Sequence, residues 1–251
     1  LLKKTRLKAL DLVHNSEIGY LDCSKNELSH IDLSPLKKLV TLYCNNNKLA
    51  TLSLTENALL GELACGENDL SSLDLSHNAR LVSLSCYANK LEQLNLQENP
   101  QLKTIIVGNN ALKQFDLSKN QMLQFVDCFA NRIKDKDMTA LMESLPMRTS
   151  ADEAALYIID GKDTNEQNIC LDRDVKIAKE KNWQVYDYNG NYDDAIVYQG
   201  ISTSITPLVE AQIELAVDKV NQRVTLHTGA FTAISIYDVD GKLIAQNRAN
   251  A

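Results

Sequence analysis

Leu39-Val40-Thr41-Leu42-Tyr43-Cys44-Asn45-Asn46-Asn47-Lys48-Leu49 decides the fold, because its frame returns every 21 residues through the first half of the chain. Leucine-like residues stand five and two positions before the cysteine, an asparagine three after it, and a leucine-like residue five after it. The cysteine slot runs Cys23, Cys44, Cys65, Cys86, Val107, Cys128, and the asparagine slot runs Asn26, Asn47, Asn68, Asn89, Asn110, Asn131. A unit this short cannot bury its apolar face alone, so a fixed period of this length specifies stacked coils sharing one core.

The frame matches L-x-x-L-x-L-x-x-N-x-L with cysteine at the third leucine, which predicts a leucine-rich repeat solenoid of parallel β coils. A second apolar element follows in each coil, as in Leu73-Asp74-Leu75-Ser76 and Phe115-Asp116-Leu117-Ser118, with its own partial column at Asn15, Asn57, Asn78, Asn99 and Asn120. Parallel strands lie about 4.8 Å apart, so one side chain per coil at fixed register builds a column through the core. The asparagine amides are placed to cap backbone groups that neighbouring turns leave unpaired. Stranding such a partner costs roughly 1 to 3 kcal/mol.

Six cysteines invite a disulfide or metal reading. Five of them, however, point the same way from stacked strands, a poor arrangement for a bridge. Val107 in the same column indicates that the slot selects a small apolar residue rather than thiol chemistry. His14, His30, His77 and His227 are scattered and no C-x-x-C occurs, so neither a metal nor a cofactor is expected. Cys170 stands outside the column with no evident partner.

A length of 251 residues accommodates one elongated array and something smaller, and the net charge of -7 argues against nucleic acid as a partner. No run of apolar residues is long enough to span a bilayer. Leu7, Leu10, Asp11 and Leu12 align with Leu70, Leu73, Asp74 and Leu75, so Leu1 falls part-way through a coil and a mature or trimmed form is expected. The periodic part is assigned to residues 1–133. An irregular α/β cap over 134–190 follows, with helices over 135–145 and 172–181 and strands at Leu156–Ile159 and Trp183–Tyr186. Asp187 to Asp194, DYNGNYDD, is turn-rich and lacks the closing glutamate of a calcium loop. Residues 191–200 read as a linker. Alternating segments at Ile213–Val217, Val224–Leu226 and Ile234–Tyr237, with an Asp240-Gly241 turn before Leu243-Ile244, predict a small β-sandwich-like module over 201–251.

Period, cysteine column and asparagine column together resemble the cysteine-ladder leucine-rich repeats of the internalin J type and related surface proteins of Gram-negative anaerobes. The cap segments around Met138, Leu145-Pro146, Leu156 to Asp160, Asn168, Ala178 and Trp183 to Asp187 are similar to the way those Gram-negative proteins end. Val224-Thr-Leu226 with Ile234 to Ile244 resembles the start of a type IX secretion sorting domain; the family's final segment is not found before Ala251, so either a truncated sorting domain or a related module serving as a β-sandwich stalk is expected. These resemblances imply an extracellular or outer cell-surface bacterial protein, active in adhesion, biofilm formation, virulence or host contact.

Period-two alternation turns the residues flanking the inward leucine and cysteine onto the concave face. Tyr20, Tyr43, Tyr87, Ile106, Phe125 and Phe129 then form an exposed strip of the kind that anchors interfaces. The alternative is that these side chains pack on one another, or that the cap covers Phe125 and Phe129. The expected partner is a protein or glycan on host or neighbouring bacterial cells. Alternatives are a passive stalk or, least favoured, a carboxylate-based hydrolase using residues such as Asp32, Asp74 and Asp116. No nucleophile motif or phosphate loop is present, so no enzyme is expected. An open strand edge at the first coil leaves oligomeric state undecided.

Overall fold

The computed structural model describes residues 5–202 in full and, beyond them, only the backbone of four strands. Two compact units divide at residue 201. In the first, six three-residue strands repeat in register: β1 Tyr20–Asp22, β2 Thr41–Tyr43, β3 Glu62–Ala64, β4 Ser83–Ser85, β5 Thr104–Ile106 and β6 Phe125–Asp127. Each pairs parallel to the next, Leu21 facing Leu42, Leu42 facing Leu63, and so on to Val126. The 21-residue coil is therefore the unit of stacking, and the fold is a leucine-rich repeat solenoid.

The columns are made as their residue types dictate. Leu42, Leu63, Leu84 and Ile105 are buried on the strands, and Cys23, Cys44, Cys65, Cys86, Val107 and Cys128 are buried one step on. All six cysteines are free and buried. Burial pushes the Cys86 thiol up to about 12, and its neighbours in the column rise for the same reason, so these sulfurs serve as packing groups.

The first asparagine column makes the backbone connections. Asn89 Oδ1 accepts from Leu70 N at 3.0 Å, while its Nδ2 donates to Cys65 O at 3.1 Å and Cys86 O at 3.0 Å. Asn47, Asn68, Asn110 and Asn131 repeat these bonds. The second column uses only half of each amide. Asn99 Nδ2 donates to Leu75 O and Asn78 O, both at 3.0 Å, but the Oδ1 atoms of Asn57, Asn78, Asn99 and Asn120 are buried and accept nothing. Ahead of the first column, Lys25, Asn46, Glu67, Ala88, Asn109 and Ala130 all take left-handed backbone, φ between 49 and 58 degrees. That turn costs every non-glycine residue something, least for asparagine.

The cap continues the same sheet. Helix α1, Asp135–Ser144, buries Met138, Leu141 and Met142, and β7, Ala154–Ile159, pairs parallel with β6. Helix α2, Asp172–Glu180, turns Val175 and Ala178 inward, and β8, Trp183–Asp187, pairs parallel with β7. Asp174 ties the helices together, its carboxylate accepting from Thr139 Oγ1 at 2.6 Å and from Leu171 N at 3.0 Å. Trp183 is buried, with Nε1 donating to Pro146 O at 2.8 Å. Asn168 adds a seventh rung to the first ladder. Its Oδ1 accepts from Ile133 N at 2.9 Å and its Nδ2 donates to Cys128 O and Ile158 O.

The stretch 191–200, expected as a linker, is instead held to the cap. Ile196–Val197 forms β9, antiparallel to β8, and Ile201 bridges to Leu171. Polar composition marks this stretch as turn-like, but its backbone completes a sheet edge. In the second unit, β10 Glu214–Asp218 pairs antiparallel with β11 Arg223–His227, and β12 Ala233–Tyr237 with β13 Leu243–Arg248. The Asp240-Gly241 turn lies outside the described residues.

Candidate functional site

The outward face of the sheet is the candidate site. Strand register places Tyr43, Ala64, Ser85, Ile106, Asp127, Tyr157 and Tyr186 in one column, and Tyr20, Thr41, Glu62, Ser83, Thr104 and Phe125 in the next. Mostly small residues, with Glu62 and Ile106 among them, occupy its middle and aromatic rings both ends.

At the first end Tyr20, 51% exposed, meets Tyr43 edge-on with ring centroids 5.7 Å apart. The Glu62 carboxylate beside the Tyr43 hydroxyl pushes that phenol up to about 12. Tyr87 lies over Gly66, where an added Cβ would meet the ring at 2.4 Å, so glycine is required for the ring to lie there. The Tyr87 hydroxyl donates to Glu67 Oε1 at 2.5 Å; burial and that carboxylate push the phenol to about 12. Ile106 is half-buried midway along.

The far end is a cluster of rings. Phe125 contacts Tyr157 at 5.4 Å and Tyr192 at 5.9 Å, and Tyr157 stacks on Tyr186 at 5.0 Å. Tyr192 also meets Tyr157 and Tyr188 edge-on. Phe129, expected on the exposed strip, is only 7% exposed, because Tyr188 stacks on it at 4.2 Å. The exposed aromatic surface at this end is contributed by Tyr157, Tyr186, Tyr188 and Tyr192 instead. Sequence reading missed these four. Tyr157 and Tyr186 alternate with buried Leu156 and Val185, which is the usable signal; the turn-borne Tyr188 and Tyr192 carry none.

Asp127 lies beneath these rings. Its carboxylate accepts from the Tyr192 hydroxyl, and Oδ1 closes no hydrogen bond of ordinary geometry. Burial pushes its pKa up to about 7, with the Tyr192 hydroxyl and the Phe129 backbone N–H acting in the opposite direction. Other cap carboxylates are satisfied by backbone: Glu166 accepts from Ala130 N and Asp160 N, and Asp187 from Gly161 N and Asn189 N. Asp32 and Asp74 face solvent in local turns, accepting from Ser34 N and Ser76 N, which holds both below the ordinary range. Among the described residues no cluster of ligating side chains fits a metal ion, and no helix is long and apolar enough to cross a membrane.

The fold is that of a leucine-rich repeat solenoid, and solved structures share it. An internalin (inlF) from Listeria monocytogenes superimposes with TM-score 0.54 at 19% identity, covering 79% of this chain and 53% of that one. The leucine-rich repeat protein LIC12759 of Leptospira interrogans gives 0.51 at 18%, covering 66% and 42%. The functional domain of InlJ from Listeria monocytogenes, described as including a cysteine ladder, is 25% identical over 73% of this chain and 54% of that one, with TM-score 0.45. The chain spans about half the length of these structures. No family model matches the sequence, and no curated protein matches it.

Proposed function

We propose that the chain is a surface-exposed or secreted bacterial binding protein that engages a macromolecular partner, a protein rather than a substrate, through the outward face of its sheet. The observation that carries this reading is the face itself: half-exposed tyrosines stand at both ends of a nine-stranded sheet, with mostly small residues and the half-buried Tyr87 and Ile106 between them. Large amphipathic rings on a rigid sheet lose little entropy on binding and are favoured anchors. The C-terminal resemblance to a type IX sorting domain supports export as the route to the cell surface.

The test is binding of the purified chain to arrayed matrix proteins, mucins and bacterial surface fractions, alongside a Tyr43→Ser/Tyr87→Ser variant with an unchanged melting curve. Saturable binding that the variant loses is expected. Binding retained by the variant would move the site elsewhere, and no binding by either protein would favour a passive stalk.

A further inference from the structure

We infer that the segment recognised by this face is basic, an extended stretch of a protein partner whose arginine or lysine side chains are held by tyrosine–carboxylate pairs. This rests on the sheet-face reading above and narrows it to one class of ligand.

Three observations converge. First, the outward columns through Tyr20, Tyr43 and Tyr87 carry no lysine or arginine from β1 to β8. Second, four lysines of the coils are already engaged, Lys38 with Glu17, Lys37 with Glu56, Lys48 with Glu27 and Lys90 with Asp69, while Lys103, beside the Thr104 column, forms no ion pair among the described residues. Among the described residues, Glu62 and Glu67 form no ion pair, although Glu67 also accepts from Asn46 Nδ2 at 2.6 Å and Lys25 lies two coils back in its own column. Third, each of these two carboxylates sits beside the hydroxyl of an accessible tyrosine, Glu62 at Tyr43 and Glu67 at Tyr87.

A ring face next to a carboxylate that has no ion-pair partner suits a cationic side chain. The planar guanidinium stacks on the ring while its N–H groups reach the carboxylate, and an ammonium uses the same two attractions less directionally. A neutral or acidic segment would strand these charges or be repelled by them. Spacing adds a constraint. Tyr43 and Tyr87 belong to coils two apart and to columns two residues apart along the strand, about 12 Å in all at the parallel-strand interval and strand rise, or roughly three to four residues of extended chain. Two basic residues two to four positions apart therefore reach both pairs at once.

The experiment titrates the full chain into a fluorescent decapeptide of alternating arginine and serine, and into a copy in which citrulline replaces arginine, keeping shape and removing charge. Two double variants accompany it. Glu62→Gln/Glu67→Gln neutralises the sheet face, and Asp32→Asn/Asp74→Asn removes the same charge from exposed turns elsewhere while keeping their hydrogen-bond acceptors.

Saturable binding of the arginine peptide is expected, at least tenfold weaker for citrulline and for Glu62→Gln/Glu67→Gln, and within twofold of the parent for Asp32→Asn/Asp74→Asn. Equal loss in both variants would reduce the effect to net charge and overturn the inference. So would equal binding of the two peptides, or no saturable binding by the parent chain. If the arrays yield a partner lost with Tyr43→Ser/Tyr87→Ser while the arginine peptide fails, the sheet-face reading stands and the basic-segment inference falls.

Discussion

The coils from Tyr20 to Ile133 and the cap that follows solve one backbone problem with different sequences. In the coils an asparagine returns every 21 residues and joins three backbone groups across neighbouring turns. In the cap Asn168 makes the equivalent bonds, but a helix and strand β7 intervene between it and Asn131. Periodicity is thus one way to reach this bonding, and the bonding itself is what parallel stacking requires. The faces differ too. The coils spread a few tyrosines among small residues, whereas the cap gathers rings around one buried carboxyl, Asp127.

If the two regions share one device, removing it should cost the same in both. Asn89→Ala strands the Leu70 N–H, while Cys65 O and Cys86 O each keep a second donor in Asn68 and Asn110, and a loss of about 1 to 3 kcal/mol is expected in chemical denaturation. Asn168→Ala should fall within about 1 kcal/mol of it, given an equivalent set of one N–H and two carbonyl partners. A near-neutral Asn168→Ala would break the equivalence and make the cap's helix packing its main attachment. Asn99→Ala, whose oxygen accepts nothing, should cost less than Asn89→Ala.

The buried carboxyl gives a pH signature that the coils should lack. Burial pushes the Asp127 carboxyl up to about 7 in the folded state, whereas in the unfolded chain it ionises near the ordinary aspartate value of 3.8. Between those values the folded state holds the extra proton, so stability falls as pH rises. Against Asp127→Asn, the parent should lose a few kcal/mol between about pH 4 and pH 8, read from urea midpoints. Parallel curves would mean the carboxyl is solvated rather than closed in by Tyr192 and its neighbours.

Smaller effects test the columns. Cys65→Val should be tolerated within about 1 kcal/mol, as Val107 already fills that slot, while Cys65→Ser buries a hydroxyl among apolar neighbours and should cost about 1 to 3 kcal/mol. Ala88→Gly relieves a left-handed alanine, φ 50 degrees, and should be neutral or stabilising by up to about 1 kcal/mol in thermal melts.

What could be read in advance follows from this contrast. Every coil column was legible, because stacking forces one residue type to recur at one interval, and the cap's helices carried their apolar faces openly in Met138, Leu141, Val175 and Ala178. Half of the candidate face was legible for the same reason: Tyr20, Tyr43 and Tyr87 lie in columns whose direction alternation fixes. The alternation of Gly66, Tyr87, Gly108 and Phe129 in one column also held a clue to close ring packing, since Gly66 makes room for Tyr87. The far end was not legible. Tyr188 and Tyr192 reach Phe129 and Asp127 from a turn whose path no local pattern specifies, so Phe129 reads as exposed until that turn is placed.

The central claim, that the outward sheet face is the binding surface, is tested most directly at Ser85, a half-buried residue midway along it. Ser85→Arg projects a long side chain over the face, and Ser76→Arg does the same from an exposed turn of the second element. Both proteins, matched by melting temperature, would be assayed against whichever arrayed matrix protein, mucin or surface fraction the parent binds. Loss of saturable binding in Ser85→Arg with retention in Ser76→Arg is the expected result. Retention in Ser85→Arg with loss in Ser76→Arg would contradict the claim and put the binding surface on the opposite side of the coil.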